Sequence, residues 1–350
     1  MVKKKLRIAI TLGDAAGIGP EVTLKALLDP GIRKLARFVI FGNSRYLDFI
    51  AKDILRKKVH IYAFSSIGEI KKLKGNLPGI IVLDLFRSFG KGRLSAKKVS
   101  RGKINKQISQ AALEYIRRAA KSALAGDFSA VVTAPVNKEA INRAGFKFSG
   151  HTEFLAKISK VRNFAMMLIG GGWRVILVTR HLPLKKVSRE LSQEKILKTI
   201  RFADLGLKKL GLKFPRIAVA ALNPHAGEGG FLGDEEKRII TPAIKKAKKK
   251  GFSVFGPFPS DTLFLPENKK RFDAQVVMYH DQGLIPLKMS GFEDSVNVTW
   301  GLPFIRTSPG HGTAYELAGK GQASAGSMKE AIKLAVKLSK TYVTHKRTSR

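Results

Sequence analysis

The stretch LRIAITLGDAAGIGPEVTLKALLD, Leu6–Asp29, reads as a strand, a turn and a helix in succession. Leu6–Leu12 is short, apolar and β-branched, and forms a first strand. The basic start that precedes it superficially resembles a secretion signal, but the apolar run is followed by Gly-Asp rather than a small-residue cleavage site. GPEVTLKALLD then starts a helix, with Pro20 near its first turn, where the missing N–H is not needed.

The same alternation runs outward along the chain. Ala36–Gly42, Gly79–Phe86, Phe128–Pro135, Trp173–Arg180, Arg216–Pro224 and Asp273–Asp281 read as further strands. Asn105–Gly126 is a long helix with a glycine stop, and Ser327–Val343 is a closing helix. Apolar strands separated by helices imply an α/β fold with a mostly parallel sheet covered on both faces. No internal repeat and no long linker is present, so a division into domains is expected to split the sheet into two lobes. Ligand groups in such folds gather at the carboxyl ends of strands.

Composition narrows the class. With 350 residues, 44% of them hydrophobic, the chain is long enough for a large core. No apolar run approaches the roughly 18 residues that span a bilayer. There is no cysteine, which excludes disulfides, thiolate metal sites and cysteine nucleophiles. Cytoplasm is the expected setting. The formal charge is +39. The basic runs, among them Lys71–Lys74 and Lys245–Lys250, are scattered in the sequence, and no helix-turn-helix, zinc-finger spacing or RNP-like aromatic pattern accompanies them. A general basic bias is therefore the favoured account, and nucleic acid is not the expected partner. A positive field would still draw in phosphorylated substrates.

Three histidines follow three strands: His181 in VTRHLP, His225 in LNPHAGEGG and His280 in MYHDQG. Each alone reads equally well as a loop cap. Together they suggest one shared ion, since imidazole suits zinc-like metals and three protein ligands leave a position open. Nitrogen ligands favour zinc or cobalt over magnesium. The loop TLGDAAGIGPE, Thr11–Glu21, holds G-x-G but no G-x-G-x-x-G, so a phosphate cradle and a plain β–α turn are equal readings. HGTAYELAGKG, His311–Gly321, is a second glycine-rich loop suited to a nucleotide. Tyr279–Gly321 as a whole reads as largely irregular. Lys288, Asn297 and Arg306 lie in it as anion and hydrogen-bond donors. Pro303 and Pro309 flank Arg306 and stiffen its backbone, which suits a fixed guanidinium fork.

Taken in order, TLGDAAGIGPE, TAPVNKEAINRAGFKFSGHTEFLA, TRHLPL, LNPHAGEGGFLGDEE, GPFPSDTLF and YHDQGLIPLK…GLPFIRTSPGHGTAYELAGKG resemble the 4-hydroxythreonine-4-phosphate dehydrogenase family of pyridoxal phosphate biosynthesis. The resemblance spans about Ile8 to Ile332. It implies a two-lobed α/β/α sandwich like isocitrate and isopropylmalate dehydrogenases, with the active site in the interlobe cleft. The first lobe is expected at 1–130 plus about 295–350, with the nucleotide loops. The second is expected at 131–294, with metal ligands and dimer contacts. The resemblance also implies NAD or NADP, a divalent metal (zinc, cobalt or magnesium) and a homodimer. His181, His225 and His280 match the family's metal ligands, with His280 implied to come from the other subunit. His151, Thr152, Lys288, Asn297 and Arg306 match substrate contacts, and Lys288 is also a candidate for proton transfer. His311, Gly312, Gly319 and Lys320 are candidates for cofactor binding. Two departures stand out: GDAAG replaces the usual Asp-Pro-Ala-Gly, and Gly310 in SPGHG stands where Asp is usual.

The implied reaction is oxidation of a secondary alcohol in a phosphorylated hydroxy-amino acid. A paralogous dehydrogenase of threonate or erythronate 4-phosphate would carry the same motifs. A nucleic-acid or anionic-surface binder is the alternative from another class. A phosphate-acyl transferase is disfavoured by the complete histidine set.

Overall fold

The structure, a computed structural model, describes residues 6–75, 77–85 and 99–348. Phe86, the expected end of the third strand, and the first five residues lie outside them. In chain order the strands are β1 Arg7–Thr11, β2 Arg37–Gly42, β3 Ile61–Phe64, β4 Ile80–Asp84, β5 Ala130–Thr133, β6 Ala165–Gly170, β7 Trp173–Leu177, β8 Ile217–Ala220, β9 Val254–Phe258, β10 Ala274–Val277, β11 Val296–Trp300 and β12 Ile305–Pro309. Two compact units form, Met1–Arg162 with Leu302–Arg350, and Asn163–Gly301.

In the first unit the strand order is β3-β4-β2-β1-β5-β12, and every pair is parallel. β1 sits between β2 and β5, with Ile8 opposite both Phe38 and Ala130. Ile8, Ala9 and Ile10 are fully buried, as a central parallel strand requires. The helix Gly19–Leu28 follows with Pro20 in its first turn, as Leu6–Asp29 predicts. The helix Lys106–Leu124 is capped by Asn105, whose side chain accepts from the Gln107 and Ile108 N–H groups. The helix buries Ile108, Ala112, Tyr115, Ile116 and Ala119 along one face.

The expected boundary at 130/131 is not where the units divide. β5 pairs with β1 and β12, so it belongs to the first sheet. Residues just beyond β5 pack there too: Ile141 and Phe148 bury against Leu113 of the long helix. That apolar contact holds the chain in the first unit until Arg162. At the other end, β11 pairs with β6 and so joins the second unit.

In the second unit the order is β11-β6-β7-β10-β8-β9. β6 is antiparallel to both neighbours, and the remaining pairs are parallel. Its core gathers Trp173, Val175, Leu177, Val277, Leu284 and Leu287. The Trp173 indole donates to Ser290 Oγ at 3.1 Å, so burial leaves it satisfied.

Tyr279–Gly321 is more regular than its composition suggests. His280–Gly291 is a helix despite Pro286 inside it, and β11 and β12 follow. Burial of Gln282, Gly283, Leu284 and Leu287 on that helix offsets the hydrogen bond that proline removes. The polar β11 is held by five-residue pairing with β6. β3, β6 and β9 are also absent from the sequence reading. Among the described residues no helix is long and apolar enough to cross a membrane.

Candidate active site

In the first unit, Arg306 lies on β12 opposite Val131 of β5. Its side chain is 2% exposed, and its Nε and Nη2 both donate to Thr133 Oγ1, at 3.2 and 2.7 Å. Burial lowers its pKa to about 10, so the guanidinium stays charged at neutral pH. His151 opens the helix His151–Ile158, with Thr152 buried beside it. Burial, and then the Arg306 charge, hold the His151 imidazole well below its ordinary pKa. Its Nε2 is buried without a hydrogen-bond partner. A charged fork, a neutral imidazole with an unused nitrogen and the first turn of a helix are groups whose chemistry suits an anion. Thr133, which orients the fork, is a residue the sequence reading missed.

The two glycine-rich loops of this unit dock on each other. Ile18 N–H donates to Thr313 O at 2.9 Å, and Tyr315 OH donates to Asp14 Oδ2 at 2.7 Å. Gly17 permits the approach, because a Cβ there would lie 2.7 Å from Thr313 O. Asp14 is 2% exposed; burial raises its pKa against the pull of Tyr315 and the Ala16 N–H. On the same loop, His311 Nδ1 meets Gly312 O at 3.0 Å while its Nε2 is buried and unpartnered. Burial lowers the His311 pKa, so the ring is a neutral acceptor for a ligand donor. Gly312 and Lys320 are exposed, and Gly319 is half-buried. The free acceptor suits a nucleotide, and the loop pairing through Asp14 and Tyr315 was not legible in the sequence.

In the second unit, the segments after β7 and β10 run side by side. Val178 N–H donates to Val277 O, and Thr179 donates its N–H and its hydroxyl to Met278 O, the latter at 2.7 Å. This brings the His181 and His280 rings to 5.7 Å between centroids. Metal–nitrogen bonds near 2.1 Å place two ligating rings about 5 Å apart, so the pair fits one ion. His280 Nδ1 is 2.6 Å from Asp281 Oδ1, which fixes the ring and leaves Nε2 for a ligand bond. Gln282 braces the strand ends: its Oε1 accepts from Met278 N–H, and its Nε2 donates to Ala221 O and Ser260 Oγ. The resemblance implies that His280 serves the site of a second subunit; within this chain its ring lies 5.7 Å from that of His181.

His225 follows β8 on a left-handed turn. His225, Ala226, Gly227, Glu228 and Gly229 all have positive φ, from 43° to 80°. Each non-glycine residue there costs about 1–2 kcal/mol. Glu236 over-determines the turn: one carboxylate oxygen accepts from Leu222 and Asn223 N–H at 2.7 and 2.8 Å, the other from Asn223 Nδ2 at 2.9 Å. Strain of this kind, held by a buried carboxylate, makes the loop a candidate for function. The His225 side chain is 68% exposed. Among the described residues of one chain, no three His, Cys, Asp or Glu side chains are grouped to hold a metal. The histidine pair is thus formed, and the third expected ligand projects outward.

Lys288 lies two turns after His280 on the same helix, half-buried, with its ammonium 5.8 Å from the Phe292 ring centre. Asn297 is on β11, and its Oδ1 is buried without a partner.

Comparison with known proteins places these residues in context. The family model described as pyridoxal phosphate biosynthetic protein PdxA matches residues 34–335. A 4-hydroxythreonine-4-phosphate dehydrogenase of Trichlorobacter lovleyi is 45% identical over 340 residues, 96% of this chain and 98% of that protein. A D-threonate 4-phosphate dehydrogenase of Salmonella typhimurium is 44% identical over 332 residues, 95% and 98% of the two chains. The crystal structure of a 4-hydroxythreonine-4-phosphate dehydrogenase from Klebsiella pneumoniae superposes with a TM-score of 0.81 at 39% identity, covering 96% of this chain and 100% of that one. In fold alone, isocitrate dehydrogenase from Methylococcus capsulatus is also similar, with a TM-score of 0.50 at 12% identity, covering 96% and 88%.

Proposed function

Since the chain belongs to the family of pyridoxal phosphate biosynthetic protein PdxA, we propose that it oxidises 4-phosphooxy-L-threonine with NAD or NADP and a divalent metal ion. The alcohol loses a hydride to the nicotinamide and a proton to a base. The product is 2-amino-3-oxo-4-phosphooxybutanoate, a β-keto acid, which releases CO2 to give 3-amino-2-oxopropyl phosphate.

The observation that carries this reading is Arg306: a charged guanidinium, 2% exposed, beside a neutral imidazole whose Nε2 has no partner. A buried fork of this kind suits a phosphate dianion, with His151 and Thr152 completing its hydrogen bonds. Asn297 Oδ1 accepts a substrate hydrogen bond. Lys288 anchors the carboxylate or takes the alcohol proton. His311, with Gly312, Gly319 and Lys320, lines the nucleotide loop. When bound, the divalent ion supplies Lewis acidity to the hydroxyl, and the nicotinamide supplies the hydride acceptor.

We place the metal between two copies of the chain, with His181 and His280 from one and His225 from its partner. The 5.7 Å ring pair and the exposed His225 support this division. The helix that carries His280 also exposes Ile285, Met289 and Phe292, at 57%, 83% and 52%, an apolar stripe suited to a homodimer contact. Nitrogen ligands favour zinc or cobalt over magnesium.

A second reading, oxidation of D-threonate 4-phosphate, stands on the 44% identity to such an enzyme, almost equal to the 45% above. Both substrates carry the phosphate that Arg306 fits. Reduced-nicotinamide absorbance with a panel of phosphorylated four-carbon hydroxy acids, with and without chelator, decides between them. Turnover of none of the panel, or turnover unaffected by chelator, would overturn the proposal.

A further inference from the structure

β10, β8 and β9 are adjacent and parallel, so their starts share one edge of the second unit. The helix Gln193–Lys209 runs into β8, the helix Thr241–Lys249 into β9 and the helix Asn268–Arg271 into β10. The chain places a basic run at each of these three junctions: KKLGLK (Lys208–Lys213), KKAKKK (Lys245–Lys250) and KKR (Lys269–Arg271). The junctions touch. Arg216 Nη2 donates to Lys270 O at 2.8 Å, and Ile217 N–H donates to Ser253 O at 2.9 Å. Runs that are 37 and 24 residues apart in sequence, counted from first lysine to first lysine (208 to 245, 245 to 269), therefore form one strip. It lies at the opposite end of the strands from His225 and His280.

Little on this edge neutralises the strip. Asp204 and Asp273 are engaged by Lys208 and Arg216. Among the described residues, Lys213, Lys245, Lys248, Lys249 and Lys250 form no ion pair. Helix dipoles favour lysines in a last turn. They do not account for Lys213, four residues past the end of its helix. Nor do they account for Phe214, 87% exposed among these cations.

We infer that this edge is a binding surface for single-stranded nucleic acid, separate from the dehydrogenase chemistry. The ammonium groups of Lys213, Lys245, Lys248, Lys249 and Lys250, which form no ion pair, track a phosphate backbone, and the exposed Phe214 ring stacks on a base without regard to sequence. An anionic membrane is the lesser fit, because Phe214 alone on this edge is more than half exposed, too little apolar surface to insert.

The test uses fluorescence anisotropy with a labelled oligouridine of about 30 nucleotides, titrated at several salt concentrations between about 50 and 200 mM. Three proteins are compared with the wild type: K245Q/K246Q/K248Q/K249Q/K250Q, a control K34Q/K57Q/K58Q/K106Q/K121Q with the same charge loss on the first unit, and F214A. The strip variant is expected to bind at least tenfold more weakly, with its log K against log salt shallower by about 0.7 for each phosphate it no longer neutralises. F214A is expected to weaken binding severalfold without changing that slope. The control and the dehydrogenase activity of all three are expected to stay within twofold of wild type. Equal weakening of strip and control variants would reduce the effect to net charge and overturn the inference. So would preferential binding to phosphatidylserine vesicles, or no binding of oligouridine near 150 mM salt. If the strip variant fails to fold, F214A against wild type still decides whether bases stack on this edge.

Discussion

The His181 and His280 rings lie 5.7 Å apart and tilted by 45° in a single chain, held there by Thr179 bonding twice to Met278 O. In the proposed shared site this pairing makes His225 the ligand supplied by the second copy. Mixing His181→Ala with His225→Ala protein should restore activity, because one of the two sites in each hybrid dimer is then intact. Random exchange gives about a quarter of wild-type turnover. Mixing His181→Ala with His280→Ala should restore none. The opposite pattern would assign His280 to the partner.

In the proposed site Arg306, braced by Thr133, binds the substrate phosphate. Arg306→Lys should lower kcat/KM for the phosphorylated substrate by about 100-fold, since an ammonium cannot reproduce a planar fork. Thr133→Val removes the oxygen that accepts both orienting hydrogen bonds and should cost about 1–3 kcal/mol, roughly five- to 150-fold in kcat/KM. Free 4-hydroxythreonine should be a poor substrate for the wild type and nearly indifferent to both changes. Comparable kcat/KM for the free and phosphorylated alcohols would sink the pocket assignment.

The pH dependence of stability has a definite sign. Burial depresses the pKa of His151 and His311, so the unfolded chain takes up protons that the folded chain refuses. Their contribution is fully present above the unfolded value near 6.5 and falls as pH drops below it. Each histidine adds about 1.4 kcal/mol per pH unit to that slope between its folded and unfolded pKa values. Urea midpoints between about pH 7 and 5 should show the loss, and His151→Asn should make the curve shallower. An unchanged slope in that variant would mean the imidazole is not buried neutral.

The left-handed turn at His225 stores strain that substitutions can release. Ala226, at φ 57°, should accept glycine with a gain of about 1 kcal/mol in unfolding free energy. Glu236→Gln should cost about 1–3 kcal/mol, because a carboxamide cannot accept all three N–H groups. It should also weaken zinc binding by releasing the loop, which calorimetry with the metal alone would detect. A destabilised Ala226→Gly protein would contradict the observed backbone.

β1, β2, β4, β5, β7, β8 and β10, with the helices Gly19–Leu28 and Lys106–Leu124, were legible from Leu6 onward, because apolar runs, glycine stops and proline in a first turn are local signals. The placing of His181, His225 and His280 after strands was legible too, since parallel sheets gather their strand ends. The same signals misjudged Tyr279–Gly321. Its helix rests on the burial of Leu284 and Leu287, and β11 rests on pairing with β6, neither of which shows in local composition.

What the sequence by itself determined was therefore the α/β class, the family and the residue types at each strand end. Only the tertiary structure decided which of those residues meet. Thr179 reaches Met278, Tyr315 reaches Asp14, and three basic runs scattered along the chain share one edge. The physical reason is strand order. Backbone preference and hydrophobic period act over a few residues, whereas sheet neighbours are chosen by pairing and burial across more than a hundred, as with β1 and β5.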